Sequence, residues 1–380
     1  MSDLNSVLTN AVAAEDVPFA VGMVANANDV TFSGAAGDAA AGRPAAEDTA
    51  FRIFSMTKGI GSLAAMILID RGKMSMDTPV ADVLPAWNDM QVLDGFDGDT
   101  PILRAPKTQA TARHLATHTS GLEYEFWNAD MPKFMEATGL PTILSGLKAS
   151  LMYPLTTDPG TRWGYGPGID WLGQMVEAVD GRRIDAFCRE EILDPLGMKD
   201  TAFEPDALAD RMSQVSIRGE DGKFAPLDLA PPSQPEFYGM GHALYSTAPD
   251  YLRFLRMVLN GGQLDGNRVL SEVAMKQMLA DQMQGLTFRP MQSVSPLTAD
   301  VDLFPGQKVT HSFAFMRNEA AVEGKRSAGS MGWAGVCNTH YWIDPTRDVA
   351  AVLMTQSLPF VEPPLLRTYD AFERAVYAGL

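Results

Sequence analysis

The chain has 380 residues, of which 46% are hydrophobic and 20% are charged, and its formal net charge at pH 7 is -17. This composition is typical of a globular protein, and the length allows one large composite domain or two domains that share a cleft. Because the negative charge repels phosphate backbones and anionic lipid surfaces, neither nucleic acid nor a membrane is expected as a partner.

The two cysteines, Cys188 and Cys337, fit a reducing compartment and argue against a disulfide scaffold or a cysteine-rich metal site. The segment from Met1 to Pro18 lacks the basic head and apolar core of a signal peptide, and no apolar run is long enough to span a bilayer. These features predict a cytoplasmic protein with no metal and no other cofactor, and they leave the oligomeric state open.

The first predicted elements are a β-hairpin and a strand that leads into a helix. Two apolar runs, Phe19–Val24 and Val30–Gly34, flank a turn at Asn26–Asp29. Phe51–Phe54 has the pattern of a short strand, and apolar residues then recur at helical spacing from Gly59 to Asp70. The chain is therefore expected to pass directly from a strand into a helix near residue 55.

The middle of the chain, from Thr78 to about Ala280, has a mainly helical and loop-rich pattern with few strand signals. The clearest helices are predicted over Trp171–Val179, Ile184–Leu193 and Asp250–Leu259. Residues 286–307 have little periodicity and contain three prolines. They are predicted to form an irregular excursion.

Strand signals return at Ser312–Met316, Thr339–Ile343 and Val349–Thr355, and a helix is predicted over Leu365–Tyr377. Since strands lie at both chain ends and helices lie between them, we predict an α+β fold in which both ends build one antiparallel sheet flanked by helices. The site is expected in the cleft between this sheet and an inserted, mainly helical domain. The predicted division assigns residues 1–77 and 308–380 to the sheet domain and residues 78–307 to the helical domain.

The motif Ser55-Met56-Thr57-Lys58 lies where the predicted strand meets the helix. Residues three apart share a helix face, so the Lys58 amine can reach the Ser55 hydroxyl. The free N–H groups of a first helical turn can also help to hold an oxyanion. A second copy of the pattern, Ser145-Gly146-Leu147-Lys148, contains a glycine and has no strand before it, so it is predicted to be a surface helix.

A serine hydroxyl is a poor nucleophile near neutral pH, where an ordinary lysine is mostly protonated, so a third group must tune the pair. Tyr165 is a candidate because it stands between Gly164 and Gly166 before a predicted helix and can project into the cleft. A lysine cation favours the phenolate of a neighbouring tyrosine, and each then makes the other a better proton carrier. The alternative is an aromatic anchor for the loop.

The segment Gly332-Trp333-Ala334-Gly335-Val336-Cys337 leads into the strand predicted from Thr339. Small residues at positions 334 and 335 permit a ligand to approach the backbone closely. The N–H of Val336 can then pair with that of Ser55 as an oxyanion hole. A glycine-rich entry to an edge strand is the alternative interpretation.

In order and spacing these three motifs resemble the serine β-lactamase and penicillin-binding superfamily, and more closely its family VIII carboxylesterases, over roughly Val17 to Gln356. Those proteins resemble class C β-lactamases in fold. They carry Ser-x-x-Lys, then a Tyr-x-Asn or Tyr-Ser-x element, then Trp-Gly-Gly where β-lactamases have Lys-Thr-Gly. The resemblance implies that Ser55 is acylated, that Lys58 and Tyr165 carry the proton, and that Ser55 and Val336 donate to the oxyanion.

Two residues depart from the family pattern. Pro167 replaces the asparagine of Tyr-x-Asn, and Ala334 replaces the middle glycine of Trp-Gly-Gly. Both changes leave acyl transfer plausible and count against β-lactam hydrolysis. The residues expected to contact substrate are Trp127, Trp163 and Trp333, which can line an apolar acyl pocket, together with Ala334, Gly335, His118 and His242, although structural hydrogen bonding is the favoured role of both histidines.

Other hydrolase classes lack support in this sequence. No Gly-x-Ser-x-Gly elbow and no His-Glu-x-x-His motif occur. Free cysteines such as Cys337 are usually small core residues, so Cys337 is not expected to be the nucleophile. We therefore predict a serine esterase that hydrolyses small or short-chain carboxylic esters through an acyl-enzyme on Ser55. The alternatives are an acyltransferase to an alcohol acceptor, a β-lactamase- or D-peptidase-like hydrolase, and a penicillin-binding-like sensor that is acylated without turnover.

Overall fold

The computed structural model describes residues 2–380, with side chains from Leu4 onward. Its helices are α1 (Ser2–Ala13), α2 (Thr57–Asp70), α3 (Val80–Val83), α4 (Ala112–Ala116), α5 (Asp130–Thr138), α6 (Gly168–Asp180), α7 (Ile184–Cys188), α8 (Asp194–Leu196), α9 (Ala248–Leu259), α10 (Glu272–Leu279) and α11 (Pro363–Ala378). Within residues 2–380, none of the helices combines the length and apolarity that a bilayer crossing requires.

The strands are β1 (Phe19–Ala25), β2 (Val30–Ala40), β3 (Arg43–Pro44), β4 (Ala50–Arg52), β5 (Val92–Asp97), β6 (Thr100–Arg104), β7 (Ser216–Arg218), β8 (Phe224–Pro226), β9 (Tyr245–Thr247), β10 (Gln263–Leu264), β11 (Asn267–Arg268), β12 (Val309–His311), β13 (Met316–Asn318), β14 (Met331–Gly335), β15 (Thr339–Asp344), β16 (Val349–Met354) and β17 (Ser357–Leu358).

One eight-stranded antiparallel sheet contains both ends of the chain, in the order β12-β13-β14-β15-β16-β1-β2-β3. The N-terminal strand β1 pairs with the C-terminal strand β16, so that Val21 lies opposite Met354. The predicted hairpin is confirmed as β1 and β2. The antiparallel sheet built from both chain ends is therefore confirmed, and all of its strands lie within residues 1–77 and 308–380. The exact domain boundaries stay a prediction.

Both faces of the central strands are covered, which explains why β1 and β16 are apolar at nearly every position. Ala20 and Val24 of β1 pack with residues of the terminal helices α1 and α11 in one core cluster. Phe19 and Val21, which alternate with them, belong to the larger core on the opposite face. That larger core also contains the buried apolar residues of α2, α6 and α9, so it joins the sheet to the helical region.

The chain around Ser55 differs from the predicted strand-to-helix passage in one respect. Strand β4 pairs with β9, outside the large sheet, and a 3₁₀ turn, Phe54–Met56, lies between it and α2. Phe54 has a φ of +40°, in the left-handed region that a non-glycine residue disfavours. Ser55 therefore lies in a tight turn that leads into α2 rather than inside the α-helix itself.

Two local predictions are wrong. Most of the strand predicted over Ser312–Met316 is a turn between β12 and β13, in which the Ser312 hydroxyl accepts hydrogen bonds from the N–H groups of Ala314 and Phe315, and only Met316 belongs to β13. The surface helix predicted around Ser145 is two 3₁₀ turns, Ile143–Ser145 and Lys148–Leu151, interrupted by Gly146 with a φ of +71°. Residues 286–307 contain neither a helix nor a strand, as predicted.

Gly335 ends β14 against the turn that carries Ser55. A Cβ atom built on Gly335 would lie 2.3 Å from the Ile53 carbonyl oxygen and 2.4 Å from Thr339 Oγ1. The glycine is therefore required for close approach of the protein's own backbone. The close approach that this glycine permits is thus to the protein's own atoms, and a contact between Gly335 and a substrate stays a prediction.

We predict that Gly335→Ala lowers the free energy of unfolding by about 1–3 kcal/mol, the usual cost of forcing extra volume into a packed site. Ester turnover should fall as well, because the added methyl group pushes β14 away from the Ser55 turn. Urea unfolding with parallel rate measurements tests this. Gly379→Ala is the matched control, since its Cβ would lie an ordinary 3.5 Å from the nearest atom; equal losses in the two variants would contradict the prediction.

Candidate active site

The Lys58 ammonium is buried, with 2% of the residue exposed, and it lies at the centre of the site. Its Nζ donates to Ser55 Oγ at 3.1 Å, to the Gly241 carbonyl oxygen at 2.8 Å and to Tyr124 OH at 3.1 Å. An ammonium group has three donors, and each has an acceptor here. Ser55 and Lys58 thus meet as their spacing in the sequence predicts.

Tyr124 is the residue of this group that sequence reasoning missed. Its backbone N–H donates to the Tyr165 carbonyl at 3.0 Å, and the two rings lie 5.2 Å apart between centroids. Burial first, and then nearby Asp170 and Tyr165, raise the pKa of Tyr124 well above its ordinary value. Tyr124 therefore remains a neutral phenol that can accept from Lys58 and donate to another group.

Tyr165 was expected to exchange a proton with Lys58, but its ring face, and not its hydroxyl, contacts the lysine. The Lys58 Nζ lies 4.9 Å from the centroid of the Tyr165 ring, and the Tyr165 hydroxyl accepts a hydrogen bond from Trp333 Nε1 at 3.0 Å. The lysine therefore contacts the face of this ring and donates to Tyr124 instead. Among the described residues, the side-chain hydrogen bonds of Lys58 Nζ go to Ser55 and Tyr124 and not to the Tyr165 oxygen.

The glycines that flank Tyr165 allow its segment to pack against the Tyr124 segment. A Cβ on Gly164 would lie 2.2 Å from Glu123 Oε1, and one on Gly166 would lie 2.2 Å from the Leu122 carbonyl oxygen. This packing, more than free projection into a cleft, explains the two glycines. It also brings Tyr124, which has no flanking motif of its own, next to Tyr165.

A buried carboxylate lies behind Lys58. Asp170 on α6 is 0% exposed; its Oδ1 accepts from the Gly241 N–H at 2.9 Å and lies 3.4 Å from His242 Nδ1. Burial opposes ionisation of this carboxyl group, but His242, Lys58 and the Gly241 N–H more than offset it and hold the pKa of Asp170 below its ordinary value. The carboxylate therefore orients, through Gly241, the carbonyl that receives Lys58.

His118 and His311 lie behind Tyr165. The His118 ring centroid lies 4.8 Å from that of Tyr165 and 5.3 Å from that of His311. Burial, and then the neighbouring His311 and Lys58, lower the pKa of His118 well below its ordinary value, and burial lowers the pKa of His311 to about 4. Both rings are therefore neutral near neutral pH, and His118 supports Tyr165 from a buried position.

An apolar cavity of about 490 Å³, partly open to solvent, lies over Ser55. It contains Val336 and six other residues of the predicted site: Ser55, Trp127, Tyr165, His242, Trp333 and Ala334. Trp163 and His118 do not line it, and Gly335 packs against Ile53 instead. The cavity is lined by Phe54, Ser55, Tyr124, Phe126, Trp127, Ile143, Leu144, Tyr165, His242, Trp333, Ala334, Val336 and Phe360.

A second and larger cavity adjoins the first and shares Trp127 and Tyr165 with it; its volume of about 1070 Å³ includes space open to solvent. Trp163 lies here, with its ring centroid 3.9 Å from that of Phe288. The remaining lining is largely polar and includes an ion pair between Arg162 and Glu123 at 2.5 Å. Tyr165 therefore stands where an apolar space and a polar space meet.

Comparisons with known proteins agree with this fold. The family model described as Beta-lactamase matches residues 4–375. The chain is 28% identical to "Acyltransferase calJ" of Penicillium decumbens, covering 88% of this chain and 82% of that protein. It is also 28% identical to "Lovastatin esterase" of Penicillium rubens, covering 85% and 84%. The unliganded structure of simvastatin synthase from Aspergillus terreus superposes with a TM-score of 0.83 at 26% identity, covering 99% of this chain and 97% of that one.

We predict that Tyr124→Phe lowers kcat for ester hydrolysis by about 10- to 100-fold, because a buried ammonium N–H loses its acceptor. Tyr165→Phe should cost more, about 100- to 10 000-fold, as expected when a proton carrier is removed. Tyr238→Phe, whose hydroxyl is bonded to Glu204 away from the site, serves as the control. Steady-state rates decide the order of the effects, and a larger loss in Tyr124→Phe than in Tyr165→Phe would identify Tyr124 as the proton carrier.

Proposed function

The chain belongs to the Beta-lactamase family, and on that premise we propose that it is a serine esterase that hydrolyses small or short-chain carboxylic esters through an acyl-enzyme on Ser55. The observation that carries this proposal is the 3.1 Å contact between Ser55 Oγ and a buried Lys58, beneath an apolar cavity that also contains Tyr165. Nucleophile, proton carriers and acyl pocket are then contiguous.

In the proposed reaction, Ser55 Oγ attacks the ester carbonyl while its proton moves into the group formed by Lys58 and Tyr165. The backbone N–H groups of Ser55 and Val336 hold the oxyanion, supported by the fact that both residues line one cavity. Collapse of the intermediate breaks the bond to the alcohol, which leaves with a proton from the same group. Water then attacks the acyl-enzyme, gives its proton to Ser55 Oγ through the same carriers, and releases the acid.

The cavity over Ser55 supports a preference for small neutral acyl groups. Its walls are mainly aromatic and aliphatic, from residues such as Phe126, Leu144 and Phe360. Trp333 stands at the position where the β-lactamases that this chain resembles carry a lysine for the substrate carboxylate. Its indole N–H donates a hydrogen bond to the Tyr165 hydroxyl instead. No charged side chain lines this cavity within residues 2–380, apart from His242 in its protonated form, so an acyl group with a carboxylate has no partner there.

Acyl transfer to an alcohol is the second candidate, favoured by the polar cavity that meets the acyl cavity at Tyr165. Two acyl acceptors, water and an alcohol, then compete for one acyl-enzyme. The names of relatives such as "Acyltransferase calJ" and "Lovastatin esterase" attach both outcomes to similar proteins. Adding an alcohol to an ester hydrolysis assay and measuring the new ester separates the two activities.

We further propose a cytoplasmic location and a small-molecule ester as the partner of the site. Both cysteines are free and buried, which suits a reducing compartment. Burial raises the pKa of Cys337 to about 12. That thiol, which follows Val336 in the chain, therefore cannot compete with Ser55 as the nucleophile.

We predict that Ser55→Ala abolishes hydrolysis of p-nitrophenyl butyrate and that intact-mass analysis of the wild type with this ester finds a butyryl adduct on Ser55. Ser145→Ala, at the second copy of the motif, should retain both properties. Its hydroxyl lies in a 3₁₀ turn followed by Gly146. An adduct on Ser145, or steady hydrolysis without Ser55, would contradict the site assignment, and an adduct without turnover would identify the protein as a sensor.

We also predict that kcat/KM for p-nitrophenyl butyrate exceeds that for benzylpenicillin by at least about a thousandfold. Trp333 offers no cation to the penicillin carboxylate, and a hydrogen bond to a charged group contributes roughly 1.5–3 kcal/mol. Pro167 offers no amide, so a second polar anchor is missing. Neutral esters need only the nucleophile, the proton carriers and the oxyanion donors. Similar values for the two substrates would instead support a β-lactamase.

A further inference from the structure

The polar cavity beside Tyr165 is not used by the acyl half of the ester in the proposed reaction. It shares Tyr165 and Trp127 with the acyl cavity, whereas Ser55 lines only the acyl side. A group bound in the polar cavity can therefore present an oxygen to Tyr165 from the side opposite the acyl chain. That is the position required of the alcohol, either as it leaves during acylation or as it enters during transfer.

Arg289 supplies a free positive charge at this cavity. The other arginine of the lining, Arg162, is neutralised by Glu123 at 2.5 Å. Arg289 is exposed, and within residues 2–380 it forms no ion pair with a carboxylate. The cavity therefore carries a local net positive charge on a protein whose formal charge is -17. Such a local cation is the feature needed to attract an anion that the rest of the surface repels.

The backbone holds Arg289 in place although its segment has neither a helix nor a strand. The N–H of Phe288 donates to the Val309 carbonyl at 2.9 Å, and Met291 exchanges two hydrogen bonds with Val301, at 3.0 and 2.8 Å. The Phe288 ring, which precedes Arg289 in the chain, packs against the Trp163 ring at a tilt of 34°. Arg289 thus lies between two anchored residues at the rim of the cavity.

We propose that this cavity binds the alcohol half of the ester and that Arg289 selects alcohols carrying a carboxylate. A guanidinium group can bind a carboxylate through two parallel hydrogen bonds, and the Trp163 and Phe288 rings provide an apolar wall for the carbon skeleton between carboxylate and hydroxyl. The inference rests on the proposed function. In acylation, the bond between the carbonyl carbon and the alcohol oxygen breaks, and the alkoxide takes a proton as it leaves. In transfer, the same alcohol attacks the acyl-enzyme, its proton passes to Ser55 Oγ, and the acyl–Ser55 bond breaks.

Two matched esters test the proposal: 4-(butyryloxymethyl)benzoate, which carries a carboxylate on the alcohol half, and 4-(butyryloxymethyl)benzamide, which is neutral and of similar size. We expect wild-type kcat/KM to favour the benzoate by about tenfold, the lower end for a charge-assisted hydrogen bond. Arg289→Gln should reduce this ratio to about one, and the ratio should also fall as salt concentration rises. Arg347→Gln, an exposed arginine in the turn between β15 and β16, should keep the wild-type ratio.

A wild-type ratio near one, or a ratio that Arg289→Gln leaves unchanged, would overturn the proposal. Failure of the proposed function has a different signature. In that case wild-type protein would release no p-nitrophenol from p-nitrophenyl butyrate and form no adduct on Ser55, whichever alcohol is attached. A preference for the benzoate that disappears equally in both arginine variants would also count against Arg289, because it would reflect the overall charge of the protein.

Discussion

Burial of the Lys58 ammonium is the constraint on which the rest of the site depends. A charged group that is 2% exposed must have acceptors for its protons, and the three that it has come from different parts of the chain. Ser55 is three residues away, Tyr124 is 66 and Gly241 is 183. Satisfying this one ammonium therefore fixes two distant segments of the helical region against the helix that begins beside Ser55.

The carboxylate that balances the charge of Lys58 does not touch it and is connected to it through the backbone of Gly241. Asp170 forms no direct ion pair with the lysine among the described residues; it acts on the N–H of Gly241, whose carbonyl receives the ammonium. This arrangement leaves Lys58 free to exchange its bond to Ser55 while its other contacts remain. A direct carboxylate contact would hold the proton on the lysine more firmly and would make the pair less useful for proton transfer.

The parts of this architecture that are encoded locally could be predicted from the sequence. The hairpin β1–β2, the helices α2 and α11 and the contact between Ser55 and Lys58 all follow from periodicity or from spacing within one turn. Tyr124 could not be found in this way, because its contact with Lys58 spans 66 residues and no local motif marks it. At Gly335 the sequence indicates that a small residue is needed, but it cannot show that the atom approaching it is the Ile53 carbonyl oxygen of the protein itself.

The indole of Trp333 connects the strand that ends at Gly335 to the proton carriers. Its N–H donates to the Tyr165 oxygen at 3.0 Å, and a hydrogen bond donated to a phenol oxygen stabilises negative charge there. A neutral donor can do this without attracting an anionic substrate to the acyl cavity, as a lysine would. An exposed cation, Arg289, lines the polar cavity instead, so that in the proposed reaction the two halves of an ester would meet different chemistry: apolar walls for the acyl group and a charged rim for the alcohol.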